Sequence, residues 1–264
     1  MPAVEFRFYE ELNDFLPRER SKRSFHVDCA RDANVKHAIE ALGVPHTEVE
    51  LVLVNGESVG FEHALRDGDR VSVYPQFEAF DVRPLLRVRT APLRDTRFIA
   101  DAHLGRLARY LRFLGYDTLY RNAWSDRELV ALAVAEQRIL LTRDRGALMH
   151  RALTHGCYLR DDEPLAQLAA LAQRLDLRVD PTRAGRCTMC NELLAAVAKS
   201  EVADRLLPAT RAQHEQFWRC PSCERVYWRG SHWQRLRRSV DAALGLGAPG
   251  RPKPRAVPSG DRLR

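Results

Sequence analysis

Arg97-Phe98-Ile99-Ala100-Asp101 and, further along, Ile139-Leu140-Leu141-Thr142-Arg143-Asp144 decide the fold. Each is a short, continuous apolar run that ends in an acidic residue, as strands buried on both faces do. Between them the pattern gives a helix over 104–114, a strand over 118–120 and a helix over 127–136. Strands alternating with helices in this way imply a parallel sheet with helices packed against it. In the first helix Leu104, Leu107, Leu111 and Leu114 recur at spacings of three and four and form its core face. Arg106, Arg109 and Arg112 recur every three residues on its other side, where they are candidates for contact with a phosphate backbone.

Ligands of parallel α/β sheets collect outside the carboxyl ends of the strands, so acids placed there have a claim on function. Asp101 and Asp144 end the two quoted strands, Asp126 opens the helix after Ser125, and the pair Asp161-Asp162 follows the apolar stretch at 157–160. Of that pair Asp161 is taken as the fourth candidate, with Asp162 as its alternative. Carboxylates that converge repel one another unless divalent cations neutralise them, and hard oxygen ligands suit Mg²⁺ or Mn²⁺. Such ions activate water and stabilise a leaving oxygen in phosphodiester hydrolysis. A structural reading stands beside this one, because Asp at a strand-to-helix junction is an excellent N-cap. Ser125 and Glu128 also fit a capping box. Arg143 and Arg145 flank Asp144 and are placed to steer an anionic phosphate toward it.

The chain has 264 residues, enough for two or three units each able to bury a core. No apolar run approaches a membrane span, and no basic region followed by an apolar stretch opens the sequence, so a cytoplasmic protein without a membrane partner is expected. The net charge is +7, yet residues 1–80 hold 9 Lys/Arg against 15 Asp/Glu, so the basic surface lies wholly downstream. A basic surface of this kind suits nucleic acid as a partner; a solvated cationic face is the plainer alternative.

Six cysteines are present, and four form the pairs Cys187-Thr188-Met189-Cys190 and Cys220-Pro221-Ser222-Cys223. Two matched Cys-x-x-Cys knuckles predict a tetrahedral structural Zn²⁺. A site closed by four sulfurs has no open position for water, so catalysis must sit elsewhere. Aromatic residues and arginines crowd around the second pair, and the zinc is expected to fix this basic, tryptophan-rich surface beside the acidic site. Trp218 and Trp228 are expected to pack the ribbon against the sheet. Cys29 and Cys157 read as core residues.

Toward the N-terminus, alternation over residues 4–9 marks a half-buried strand. A strand at 24–29, a helix at 35–42, a strand at 50–54 leading into Asn55-Gly56, and a turn feeding a strand that ends near Pro75 complete a small α+β domain over 1–78. Val52-Leu53-Val54-Asn55-Gly56 and the Asp67-Gly68-Asp69 turn make this stretch resemble the ubiquitin-like β-grasp domains of the sulfur-carrier type. Carrier chemistry needs a free C-terminal Gly-Gly, whereas Gln76-Phe77-Glu78-Ala79-Phe80 runs on here, so a docking role toward a protein partner is the better functional reading.

Phe98-Ile99-Ala100-Asp101, the stretch from Leu104 through Arg112, Leu114-Gly115-Tyr116-Asp117, and Leu141-Thr142-Arg143-Asp144-Arg145 together resemble the Mut-seven C-terminal RNase domain family, a branch of the PIN-like nucleases. The resemblance runs from about residue 96 to 238. It implies an α/β PIN-like Rossmannoid domain with an appended four-cysteine zinc ribbon, preceded by the β-grasp domain. It also implies a metal-dependent ribonuclease site in which Asp101 and Asp144 fall on the motif positions, with Asp126, for which Glu128 competes, and Asp161 or Asp162 completing it. The expected order is therefore a β-grasp domain at 1–78, a basic linker at 79–96, a nuclease domain at 97–180, a ribbon with a basic helix at 181–240 and a disordered basic tail at 241–264. A non-catalytic RNA-binding adaptor, and more remotely a sulfur-transfer accessory, are the competing readings.

Overall fold

A computed structural model describes residues 1–75, 87–88, 96–177 and 185–246. The linker expected at 79–96 lies outside the described residues except at 87, 88 and 96, and so does the expected tail beyond residue 246.

The N-terminal unit is a five-stranded mixed sheet of β1 (Ala3–Phe8), β2 (Phe25–Asp28), β3 (Leu51–Val54), β4 (Glu57–Ser58) and β5 (Arg70–Tyr74). The spatial order is β2-β1-β5-β3-β4, with β1 and β5 parallel at the centre, which is the β-grasp arrangement. Alternation in β1 turns Val4, Phe6 and Phe8 onto a core that also takes Val35 and Ile39 of helix α1 (Val35–Ala41). Asn34 caps α1 by accepting from His37 N–H. Asn55-Gly56 turns β3 into β4 with both residues at positive φ, as a tight hairpin turn requires.

The second unit is a four-stranded sheet of β6 (Phe98–Ala100), β7 (Thr118–Tyr120), β8 (Ile139–Thr142) and β9 (Gly156–Tyr158), in the order β7-β6-β8-β9 and parallel throughout. Helices α2 (Gly105–Phe113) and α5 (Pro164–Arg174) bury Leu107, Leu111, Leu168 and Leu171 on one face. On the other, α3 (Asp126–Ala135) and the short α4 (Arg145–Leu148) bury Leu129, Val130, Ala133 and Leu148. Apolar side chains on both faces explain why the strands read as continuous hydrophobic runs.

A third unit is a small antiparallel sheet of β10 (Ala195–Val197), β11 (Phe217–Arg219) and β12 (Val226–Tyr227), with the short helices α6 (Lys199–Val202) and α7 (Pro208–Gln213) between its first two strands. Helix α8 (Ser231–Ala243) then returns to the central unit, where Val240 is fully buried in the α2/α5 core. Trp233 packs against Phe113 of α2, with ring centroids 5.8 Å apart. Trp228 packs inside the ribbon on Phe217, so Trp233 takes the role expected of Trp228. No helix among the described residues is long and apolar enough to cross a membrane.

Each edge of the parallel sheet is closed by a side chain from another unit. At β9, Tyr158 N–H donates to Glu48 Oε1 at 2.6 Å; at β7, Thr118 N–H donates to Asn191 Oδ1 at 2.9 Å. Glu48 belongs to a 3-10 turn, His46–Glu48, that lies against β9. Its neighbours support the seam: Thr47 Oγ1 donates to Leu148 O at 3.2 Å, and His46 Nε2 lies 2.8 Å from Leu153 O. Gly156 is required there, because a Cβ at that position would fall 2.4 Å from Leu148 Cδ2 and 3.2 Å from Thr47 Oγ1. The Glu48 carboxylate is fully buried and ion-paired with Arg174 of α5. Arg174 also reaches Glu11 at 3.5 Å and Cys157 Sγ at 3.2 Å.

Candidate active site and metal centre

Because all four strands run the same way, the acids that follow them share one edge of the sheet. β6 and β8 are adjacent although β7 lies between them in sequence, so the chain departs in opposite directions on either side of that pair. Such a switch point opens a crevice at the carboxyl ends, and Asp101 and Asp144 flank it.

Thr142 ties the two together. Its hydroxyl donates to Asp101 Oδ2 at 2.8 Å and accepts from Asp144 N–H at 2.9 Å. Only 1% of Thr142 is exposed, so this relay is held in the sheet. Asp101 Oδ1 also accepts from Ala102 N–H at 2.5 Å, and Asp144 Oδ1 accepts from Gly146 N–H at 2.7 Å. Both acids therefore cap the turns that follow them and still keep further lone pairs. Sequence reasoning passed over Thr142 because a β-branched residue at the end of a buried strand needs no other explanation.

The remaining acids stand apart. Asp126 begins α3 beside Ser125, and the capping box is formed: Ser125 N–H and Oγ lie 2.8 and 2.7 Å from Glu128 Oε2. Those bonds hold the Glu128 carboxyl below its ordinary range, so Glu128 is occupied as a cap. Asp162 pairs with Arg143 at 2.5 Å, whereas the Asp126 and Asp161 carboxylates are exposed and bond to no described residue. Among the described residues no three acids bring carboxylate oxygens within 4.8 Å of one another. The edge thus has no preformed cage of three or more carboxylates. It does fit a Mg²⁺ or Mn²⁺ ion bound through one or two carboxylates, the rest of its shell being water and substrate phosphate.

Arg106 and Arg109 are exposed along α2, with Arg106 nearer the acidic edge. Arg112, expected beside them, is buried at 3% exposure. It donates to Thr118 O at 2.8 Å, Met189 O at 2.9 Å and Thr188 O at 3.2 Å. The physical reason is helical: each step of three residues falls about 60° short of a full turn, so a run of three drifts about 120° around the axis.

The four cysteines come together. Cys187 Sγ lies 3.5 Å from Cys223 Sγ and Cys190 Sγ lies 3.4 Å from Cys220 Sγ, and all four sulfurs lie within 4.8 Å of one another. A tetrahedron of ~2.3 Å zinc–sulfur bonds has edges of about 3.8 Å, so the cluster can hold a metal such as zinc. Asn191 and Glu224, each following the second cysteine of its knuckle, take positive φ of 74° and 60°. Burial opposes ionisation of Cys187, but hydrogen bonding from Tyr227 Oη at 3.0 Å and from the knuckle backbone brings its thiol down to about 6. Cys157, buried in the central core, is pushed up to about 12 by that burial, and Cys29 is likewise raised.

The first knuckle docks at the amino ends of the strands, away from Asp101 and Asp144. Asn191 Nδ2 donates to Asp117 at 2.7 Å, while Arg138 pairs with Asp117 at 2.8 Å and donates to Phe98 O. The expected placement of the ribbon beside the acids is thus corrected: buried Arg112 and Asn191 anchor its first knuckle to the opposite edge. Burial alone would raise the Asp117 carboxyl, but Arg138, Asn191 and Arg186 overcome it and hold it low. Stability from Asp117 is therefore present above the ordinary carboxylate range and lost as pH falls through the depressed value. Asp117→Asn should cost about 1.5–3 kcal/mol near neutral pH and flatten the acid limb of a Tm-against-pH curve. An acid limb identical to wild type would remove Asp117 from that role.

The chain thus joins a β-grasp module, a parallel α/β unit with acids along its carboxyl edge and a small sheet carrying a four-cysteine cluster. The Mut7-C RNAse domain profile matches residues 96–240 and the Mut7-C ubiquitin profile matches residues 1–81. The chain belongs to the Mut7-C RNAse domain family, with an N-terminal ubiquitin-like domain. No curated protein gives a significant match. Two crystal structures of the small archaeal modifier protein 1 of Haloferax volcanii are similar to parts of it, at 23% and 22% identity. They cover 29% and 30% of this chain and 100% and 99% of their own, each with a TM-score of 0.24.

Proposed function

We propose that this protein is a metal-dependent ribonuclease whose PIN-like site is centred on Asp101 and Asp144. The observation that carries the reading is the Asp101–Thr142–Asp144 relay at the switch point of the parallel sheet, in a chain of the Mut7-C RNAse family. Asp101 and Asp144 would hold Mg²⁺ or Mn²⁺, which when bound supplies an activated water and charge stabilisation for hydrolysis of an RNA phosphodiester. Thr142 fixes the orientation of the Asp101 carboxylate through its hydroxyl. Asp126 and Asp161, exposed and standing apart from this pair, would act on the ion through its waters. Arg106, Arg109 and Arg143 lie on the same chain as donors for the RNA backbone. The four cysteines hold structural Zn²⁺ and take no part in the chemistry.

RNA cleavage that requires added Mn²⁺ or Mg²⁺ is expected. It should fall roughly a hundredfold in Asp101→Asn and in Asp144→Asn, with RNA binding and thermal unfolding preserved. Unchanged cleavage in both variants would sink the site assignment. The second reading, an RNA-binding adaptor, rests on the capping bonds that Asp101 and Asp144 make to Ala102 and Gly146. Binding without cleavage under any divalent metal would favour it.

A further inference from the structure

The N-terminal domain reaches the acidic edge through the end of its first 3-10 turn, Glu10–Phe15. Phe15 meets Tyr158 of β9, with ring centroids 5.6 Å apart. Two arginines of the central unit lie over this aromatic pair. Arg145 is 5.2 Å from the Phe15 ring centroid and 5.3 Å from that of Tyr158; Arg160 is 5.2 and 5.7 Å from the same two. Asp14, next to Phe15, lies 3.7 Å from Arg160 Nε.

The sequence positions of these arginines matter. Arg145 directly follows Asp144, and Arg160 directly precedes Asp161, so both stand at the carboxyl ends of the strands that carry candidate acids. A guanidinium stacked on a ring uses its face and keeps its N–H donors in the plane, the arrangement that suits bidentate contact with phosphate. The Arg145 guanidinium pairs with no carboxylate of the described residues, and both arginines are exposed. Phe15, by contrast, is 7% exposed, so the ring lies within the seam while the arginines over it are accessible.

We infer that the RNA-binding site spans the seam between the two domains, with Phe15 of the ubiquitin-like domain a positioning residue that, with Tyr158, presents Arg145 and Arg160 to the phosphates of an RNA strand entering the acidic edge. This rests on the ribonuclease reading for its substrate. It makes the N-terminal domain a wall of the site, distinct from a docking module for some other protein.

The test uses the full chain and a fluorescein-labelled single-stranded RNA, with affinity measured by anisotropy across a salt series and cleavage measured separately. Arg145→Gln/Arg160→Gln should reduce the slope of log K against log salt by about 1.4, two phosphate contacts at about 0.7 each. Phe15→Leu, which keeps an apolar side chain at the seam, should weaken binding about two- to fivefold and raise KM with kcat unchanged; Phe15→Trp should restore both. Combined with the double arginine change, Phe15→Leu should add nothing further, because its effect passes through those side chains. A wild-type salt slope in the arginine variant, or additive losses in the combination, would overturn the inference. RNA binding with these signatures but no cleavage would refute the ribonuclease reading and leave the positioning role standing. A wild-type chain that does not bind RNA would refute both.

Discussion

Replacing Cys187 or Cys220 by Ser is expected to abolish stoichiometric zinc and unfold the ribbon. The reason is its size. Three strands of two or three residues surround a core in which Phe217, Val202, Cys187 and Cys220 are the buried apolar groups, too little for such a unit to fold unaided. The free energy of metal binding, on the order of 10–16 kcal/mol for structural zinc peptides, is then the folding energy of the unit. The damage should spread. Without the first knuckle, Arg112 of α2 loses its acceptors at Thr188 and Met189 and keeps only Thr118 O, and Thr118 N–H loses Asn191. The check is a zinc-to-protein ratio by metal analysis, with amide hydrogen exchange at Thr118 as the local reporter. A Ser variant that keeps zinc and slow exchange would contradict the four-sulfur assignment. Metal-stripped protein should lose ribbon structure before any change at Asp101 and Asp144, since the two sites occupy opposite edges.

Glu48→Gln is expected to destabilise the folded chain by about 3–5 kcal/mol. The amide can still accept from Tyr158 N–H, so the variant isolates the loss of charge. What remains is the Arg174 guanidinium, deep in the seam, with Glu11 at 3.5 Å as its nearest anionic partner. A charge taken out of water without its counterion costs far more than the pair contributes. Removing the second charge as well, Glu48→Gln with Arg174→Met, keeps the acceptor for Tyr158 N–H and should therefore recover much of the loss. Chemical denaturation of the three chains measures this, and a double variant as unstable as Glu48→Gln would show that shape rather than charge dominates the seam. Limited proteolysis between the first two units should accelerate in the single variant alone.

What the sequence made legible was local. A period of two in Val4, Phe6 and Phe8, the Asn55-Gly56 turn, the leucine spacing of α2 and the two cysteine knuckles each announce an element within a few residues, and each is found where expected. The strand-end acids were legible as positions because a parallel sheet orders them. Their hydrogen-bonding was not. Thr142 looks like any β-branched strand residue, and Arg112 shares a spacing with Arg106 and Arg109 that a helix does not preserve on one face. The seam left no local trace at all. Glu48 bonds Tyr158 across 110 residues, and nothing around it in sequence distinguishes a buried ion-pair acid from a solvated one.

The two closures of the parallel sheet differ in when they become available. Glu48 precedes the strand it covers by 110 residues, whereas Asn191 follows Thr118 by 73. During synthesis from the N-terminus, the cover for β9 is already folded when that strand emerges. The β7 edge has no such guardian. Its backbone stays open to strand exchange with neighbouring nascent chains until the first cysteine knuckle, which carries Asn191, has left the ribosome and docked. Completion of the cysteine cluster would thus guard the β7 edge against aggregation, a role separate from holding the finished molecule together.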